Sequence, residues 1–264
     1  MPEPDKEPIL THYPEPWLAV LTFNRELVRN AISRRMSKLL VERLLELADD
    51  EELRALVVTG IGEKAFSAGA DLKERRAMTP RQRREHTHEI RQAADLLWTF
   101  PVPVVAAIRG FALAGGAELA IACDLRVAGE SAIIGFPEVR VGIFPGAGAV
   151  ERLPRLIGPS KARHLLFTGR QVDADQAFQI GLIDSVVPDA YLMTEAVRLA
   201  RDIASQSASA VRALKQALLS IERDPPEQAR QRVEQIRGDL DDSADYDVGL
   251  EAFAEGRAPK WLDD

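Results

Sequence analysis

Apolar residues run along this chain in two rhythms, which change over near residue 148. Before that point, short and nearly unbroken apolar runs alternate with longer amphipathic stretches. Residues 17–23, 56–59 and 104–108 read as strands, and 33–49 and 80–99 carry apolar positions at helical spacing. Ser33 supplies an N-cap for the first helix, and Phe100-Pro101-Val102-Pro103 ends the second and forces extended backbone into 104–108. A helix opening at Gly115 follows, then strands near 125–127 and 132–134. Beyond Gly148 the spacing is helical over 149–157, 160–168, 174–180, 190–204, 207–221, 227–238 and 239–254, with 186–187 as one more extended piece. The pattern predicts an α/β core over residues 1–200 and a C-terminal helical segment over 201–264.

Composition narrows the classes. A chain of 264 residues with 46% hydrophobic content can bury a large core. Its net charge of −7 argues against a protein built to coat nucleic acid. Residues 1–7 are polar and Pro-containing, and no stretch reaches the roughly 18 apolar residues a membrane helix needs, so a cytoplasmic location is expected. The lone Cys123, in Ile121-Ala122-Cys123, reads as a buried structural thiol. His12, His86, His88 and His164 are scattered without ligand spacing, and no metal is expected. Basic residues do cluster: Arg25, Arg29, Arg34, Arg35, Lys38 and Arg43 against Glu26 and Glu42, then Lys73, Arg75, Arg76, Arg81, Arg83, Arg84 and Arg91 against Glu74, Glu85 and Glu89. Solvated helix faces with local ion pairs account for most such residues.

The candidate chemistry rests on two glutamates beside glycine-bearing loops. Glu118 ends the stretch Gly110-Phe111-Ala112-Leu113-Ala114-Gly115-Gly116-Ala117-Glu118, and Glu138 lies in Gly135-Phe136-Pro137-Glu138, shortly before Pro145-Gly146-Ala147-Gly148. Taken alone, each is more often a surface acid than a catalyst. In apolar surroundings a carboxyl pKa rises, and a second carboxylate drives the pair apart, so one acid can hold a proton while the other accepts one. That division suits the addition or removal of water. Gly115-Gly116 sits at a helix N-terminus, whose unpaired N–H groups attract negative charge. The small-residue stretch 65–72 offers a second backbone that can approach a ligand closely, and two converging N–H groups would form an oxyanion hole. Gly146-Ala147-Gly148 has no Lys-Ser/Thr after it and reads as a tight turn before a helix. No serine lies in a nucleophile elbow.

With these motifs in this order, the chain resembles the enoyl-CoA hydratase/isomerase, or crotonase, family over nearly its whole length. The resemblance is carried by Asn24-Arg25 to Asn30-Ala31-Ile32, by 65–74, 103–124 and 137–152, and by Gly181-Leu182-Ile183-Asp184. It implies a crotonase-like ββα spiral and an acyl-CoA thioester substrate, with coenzyme A part of that substrate and no separate cofactor. The N–H groups of Ala70 and Gly115 would hold the thioester oxygen, Glu118 would activate water, and Glu138 would protonate Cα. Ala68, Asp71 and Leu72 fall in the substrate loop, Arg29 in the nucleotide-contacting stretch, and both basic clusters fit the polyphosphate of coenzyme A. The C-terminal helices imply a homotrimer or a dimer of trimers. Two departures stand out: the frequent triple glycine is Ala114-Gly115-Gly116, and Pro-Gly-Ala-Gly-Gly becomes Pro145-Gly146-Ala147-Gly148-Ala149. The reading is an enoyl-CoA hydratase. The alternatives are a methylglutaconyl-CoA hydratase-like enzyme with an RNA-binding side activity through 25–43, which the net acidity and lack of stacking aromatics oppose, or an enoyl-CoA isomerase.

Overall fold

The computed structural model describes residues 7–261, so all of the polar opening segment except Glu7 lies outside the described residues. Among them the elements run β1 (Ile9–Glu15), β2 (Leu18–Phe23), α1 (Arg34–Ala48), β3 (Ala55–Gly60), β4 (Ala65–Ser67), α2 (Leu72–Arg76), α3 (Pro80–Trp98) and β5 (Val104–Ile108). There follow β6 (Phe111–Leu113), α4 (Gly115–Ala120), β7 (Leu125–Gly129), β8 (Ile133–Gly135), α5 (Ala149–Ile157), α6 (Pro159–Thr168), β9 (Gln171–Asp173) and α7 (Ala174–Gln179). The chain closes with β10 (Ser185–Val187), α8 (Leu192–Ala204), α9 (Ala208–Arg223), α10 (Pro226–Asp241) and α11 (Ala244–Glu255).

Two sheets share these strands. The larger has the order β1-β2-β3-β5-β7-β10 and is antiparallel only between β1 and β2. The smaller has the order β4-β6-β8-β9, with β9 antiparallel to β8. Each of the pairs β3 and β4, β5 and β6, β7 and β8 lays one strand in each sheet before the chain turns to helix. Three such turns stacked on one another make the ββα spiral.

The parallel strands of the large sheet are unbroken apolar runs because both faces are covered. Leu56, Val58, Val104 and Ala106 join the main core with Met36, Leu40 and Ala94, while Ala55, Val57, Val105 and Ala107 pack under Leu192, Ala196 and Ala200 of α8. Residue 200 therefore lies inside a helix seated on the sheet. α9 is tied in by the buried Lys215, whose Nζ donates to Val102 O at 2.8 Å and to Asp124 Oδ2 at 2.6 Å.

The long helices form close to their expected limits, with Ser33 and Thr79 accepting from Met36 and Gln82 N–H as N-caps. Four strands depart from the expectation. β1 is a mostly solvent-facing edge strand with little apolar signal, and β4, β6 and β9 are three residues each, too short to show a period of two. The helix at Gly115 thus follows β6 and not the 104–108 strand directly.

Between β2 and α1 the chain turns through two left-handed residues, Arg29 at φ 56° and Asn30 at φ 53°. Asn tolerates this conformation better than most residues. The fully buried Asn30 side chain accepts from Arg25 N–H at 2.9 Å and donates to Ile61 O at 3.1 Å and Ala65 O at 2.7 Å. The Asn30 main-chain carbonyl receives the Ser67 hydroxyl at 2.9 Å, and the same hydroxyl accepts from Gly69 N–H at 3.2 Å. One amide side chain thereby orders the loop that leads to Ala70. Asn30→Ala leaves two buried carbonyls unpaired and adds left-handed strain, so it should lower unfolding free energy by about 3 kcal/mol, read from the urea midpoint at constant slope. A midpoint equal to wild type would show that the network does not hold the loop.

Candidate active site

β4, β6 and β8 are parallel neighbours, so the loops at their C-terminal ends leave the small sheet on the same side. The first carries Ala70. A single parallel bridge joins it to Ile32: Ile32 N–H donates to Gly69 O at 2.8 Å, and Asp71 N–H to Ile32 O at 2.9 Å. Ala70, held between these bonds, turns its own N–H the other way.

The second loop carries Gly115. β6 passes into α4 through Ala114, at φ 51° and ψ −127°. Glycine occupies that region freely, whereas an L residue pays on the order of 1–3 kcal/mol of strain there. Ala114 is held by donating its N–H to Gly135 O at 2.9 Å. Gly115 opens α4, so its N–H has no helical partner. A Cβ built on Gly115 would lie 3.9 Å from Ala70 N, and one built on Gly69 3.1 Å from Gly115 N, so the two backbone segments that carry these N–H groups are neighbours. Gly69, at φ 81°, permits this approach, since a Cβ there would meet Leu113 O at 2.8 Å. Neither N–H has an acceptor among the described residues.

Glu118 stands one turn into α4 and is only 3% exposed. Its Oε1 accepts from Ala147 N–H at 2.8 Å and Ala149 N–H at 3.0 Å. Burial pushes its pKa up, while these two N–H groups and the Arg152 charge oppose the rise. The turn that supplies them depends on Gly148 at φ 117°, where a Cβ would lie 1.9 Å from Arg152 Nη1. Arg152 Nη1 donates to Ala147 O at 2.9 Å, its other nitrogen reaches Asp95, and its guanidinium lies 4.6 Å over the Trp98 ring.

The third loop, a 3-10 turn over Pro137–Val141, carries Glu138. This acid is buried, and its Oε2 has no partner among the described residues. Burial first, and the charge of Glu118 second, raise its pKa to about 7. One acid is therefore anchored by main-chain donors, and the other is free to hold a proton near neutrality.

Both acids line a cavity of about 340 Å³ together with Ala68, Ala70, Leu72 and Gly115. Apolar groups close it, among them Ile90, Leu113, Val141, Ile143 and Phe144. Two residues expected to touch substrate lie elsewhere. Asp71 caps α2 by accepting from Glu74 N–H at 3.2 Å and pairs with Arg25 at 3.1 Å, while the exposed Arg29 stacks over Phe111 at 5.4 Å. Within the first basic cluster Arg34 and Arg43 are likewise paired, with Glu85 and Glu89 and with Glu7 and Glu46. A larger groove of about 660 Å³, between Trp98, Cys123 and α9, contains neither glutamate nor either free N–H. The chemistry converges on the smaller space.

Burial raises the Cys123 thiol to about 12, as for an inert thiol, and lowers His86 to about 4, with Arg75 adding to the shift. No cluster of three His, Cys, Asp or Glu that could hold a metal occurs among the described residues, nor does a helix long and apolar enough to cross a membrane. The sequence reading did not assign Ala147, Ala149 and Arg152 to the site. Its one signal was the glycine pair around Ala147, which marks a turn without saying what the turn binds.

A sequence profile for enoyl-CoA hydratase/isomerase matches residues 15–264. A crotonyl-CoA hydratase of Syntrophomonas wolfei is 40% identical over 200 residues, covering 76% of this chain and 77% of its own. A short-chain-enoyl-CoA hydratase of Clostridium acetobutylicum is 40% identical over 201 residues, with the same coverage. The crystal structure of an enoyl-CoA hydratase from Bacillus anthracis superposes with a TM-score of 0.94 at 38% identity, over 98% of this chain and 100% of that one. With its two-sheet spiral and paired glutamates, the chain belongs to the enoyl-CoA hydratase/isomerase family.

Proposed function

We propose that the protein is an enoyl-CoA hydratase, adding water reversibly across the Cα–Cβ double bond of a 2-enoyl-CoA thioester to give a 3-hydroxyacyl-CoA. The observation that carries this reading is the pair of buried acids in unequal environments facing one cavity, beside two unpaired N–H groups. The thioester oxygen accepts from Ala70 and Gly115, and each donor contributes roughly 3 kcal/mol as negative charge develops in an enolate-like transition state. Glu118, steadied through Oε1, takes a proton from the water that attacks Cβ. Glu138 delivers its proton to Cα. Isomerisation asks for proton transfer between carbons and no water, and two acids over one space suit addition better. The reaction calls for no group beyond the thioester. A homotrimer or dimer of trimers accords with the exposed Leu214, Leu218 and Ile221 on α9 and Leu250 and Phe253 on α11.

Replacing either acid by its neutral isostere keeps shape and loses proton transfer. Glu118→Gln and Glu138→Gln should each lower kcat for crotonyl-CoA hydration by at least about a hundredfold while largely preserving thioester binding. Loss of enoyl absorbance is the assay, and near wild-type turnover in either variant would remove that glutamate from the mechanism.

The pair works with one proton in both directions, because dehydration merely exchanges the two roles. kcat/KM against pH should therefore be a bell whose alkaline limb falls at about 7, the value to which Glu138 is raised. Hydration releases no net proton, so the profiles from enoyl and 3-hydroxyacyl thioesters should share one shape. A wild-type profile flat from pH 6 to 9 would contradict the shared proton.

A further inference from the structure

A second recess of about 390 Å³ adjoins the active-site cavity and shares Arg75, Thr87 and Gly146 with it. The other groups around it are Arg83, Arg84, His88 and Arg91, with no carboxylate in the lining. Arg75 and Arg83 fix one another across the gap between α2 and α3: Arg75 Nη2 donates to Arg83 O at 3.2 Å and Arg83 Nε to Arg75 O at 3.3 Å. Neither they nor Arg84 pair with an acid among the described residues, whereas Arg91 is satisfied by Asp95 and Glu151. Of the other acids on α3, Glu85 is bound to Arg34 and Arg81, and Glu89 to Ser37. Burial and the neighbouring charge of Arg83 both lower the pKa of Arg75. An anion placed here would relieve cations that now repel one another.

The recess lies close to the reacting atoms. Thr87, which lines both spaces, places its Cγ2 2.4 Å from a Cβ built on Gly146, the neighbour of the amide that binds Glu118. Arg83 and Arg91 stand about one turn of α3 to either side of Thr87, about 6 Å along the axis. The phosphates of coenzyme A hang on a pantetheine arm about as long as four extended residues, on the order of 14 Å, which carries them away from groups this near the thioester.

We infer that the recess receives a carboxylate at the far end of the acyl chain, so that the substrate class is the 2-enoyl-CoA monothioester of a short dicarboxylic acid. This rests on the hydratase reading above. It predicts that glutaconyl-CoA, a five-carbon enoyl thioester ending in a carboxylate, is hydrated with kcat/KM at least about tenfold above that of crotonyl-CoA, the gain expected of one charge-assisted contact.

The test compares glutaconyl-CoA, crotonyl-CoA and crotonyl-pantetheine in the wild type and in Arg83→Gln, Arg84→Gln and Arg84→Lys. Arg83 and Arg84 are exposed, so the folded state should tolerate these changes. The ratio of kcat/KM for glutaconyl-CoA over crotonyl-CoA should fall at least about tenfold in the Gln variants and recover in part with lysine. An unchanged ratio in both Gln variants, or a wild type that hydrates crotonyl-CoA at least as well as glutaconyl-CoA, would overturn the assignment and leave the hydratase reading standing. Equal losses on both coenzyme A esters that vanish with crotonyl-pantetheine would assign the recess to a coenzyme A phosphate and overturn the acyl carboxylate. Hydration of none of the three by the wild type would overturn the hydratase reading, and the acyl carboxylate with it.

Discussion

A carboxylate removed from water must be solvated by the protein itself, and the rest of this site depends on how that is done for Glu118. Two N–H groups of one turn, those of Ala147 and Ala149, meet a single oxygen and leave the other unbound by protein among the described residues. The turn exists because Gly148 can adopt φ 117° and because Arg152 grips its carbonyl from behind. Arg152 is held in turn by Asp95, Trp98 and the surrounding core. Side-chain packing on α3 and α5 is thereby converted into a fixed direction for one oxygen, and the charge so fixed helps keep Glu138 protonated.

Most of the large sheet was legible in the sequence because parallel strands covered on both faces must be continuously apolar, and Leu56-Val57-Val58 and Val104 to Ile108 are. Helix α1 was legible through spacing and its cap Ser33, and α3 through spacing and the prolines that end it. Of the small sheet only β8 was, as the strand near 132–134. The strands β4, β6, β8 and β9 have three residues each, and the identity of the others comes from pairing with segments distant in sequence, which no local pattern records. β1 was hidden for a different reason, since its side chains largely face solvent.

The site divides along a similar line. Glu118 and Glu138 could be picked out because acids in apolar, glycine-bearing stretches are unusual, and Ala70 and Gly115 came with the family resemblance. The partners of Glu118 could not, because a main-chain N–H carries no residue signature. Asp71 and Arg29, placed toward substrate by their position in the motifs, are outside the cavity lining and have local partners: a helix start and an ion pair for one, an aromatic face for the other. Of the clustered arginines read as fitting a polyphosphate, Arg75, Arg83, Arg84 and Arg91 surround a space that shares Arg75, Thr87 and Gly146 with the cavity of the two glutamates.

The bridge between Ile32 and Ala70 carries a consequence for how such an enzyme can change. The two N–H groups left free at Ala70 and Gly115 belong to the main chain, and that of Ala70 is aimed by pairing between segments, so the identity of the Ala70 side chain does not set its direction. The cavity and the recess beside it, by contrast, are lined by side chains on α2, α3 and the loop around Phe144, which under the proposed function would recognise the acyl group. Proton transfer aside, which rests on two glutamate side chains, carbonyl polarisation and acyl selectivity would thus be stored in different parts of the polymer. A lineage can rewrite the second by ordinary point mutation while the first is inherited with the fold.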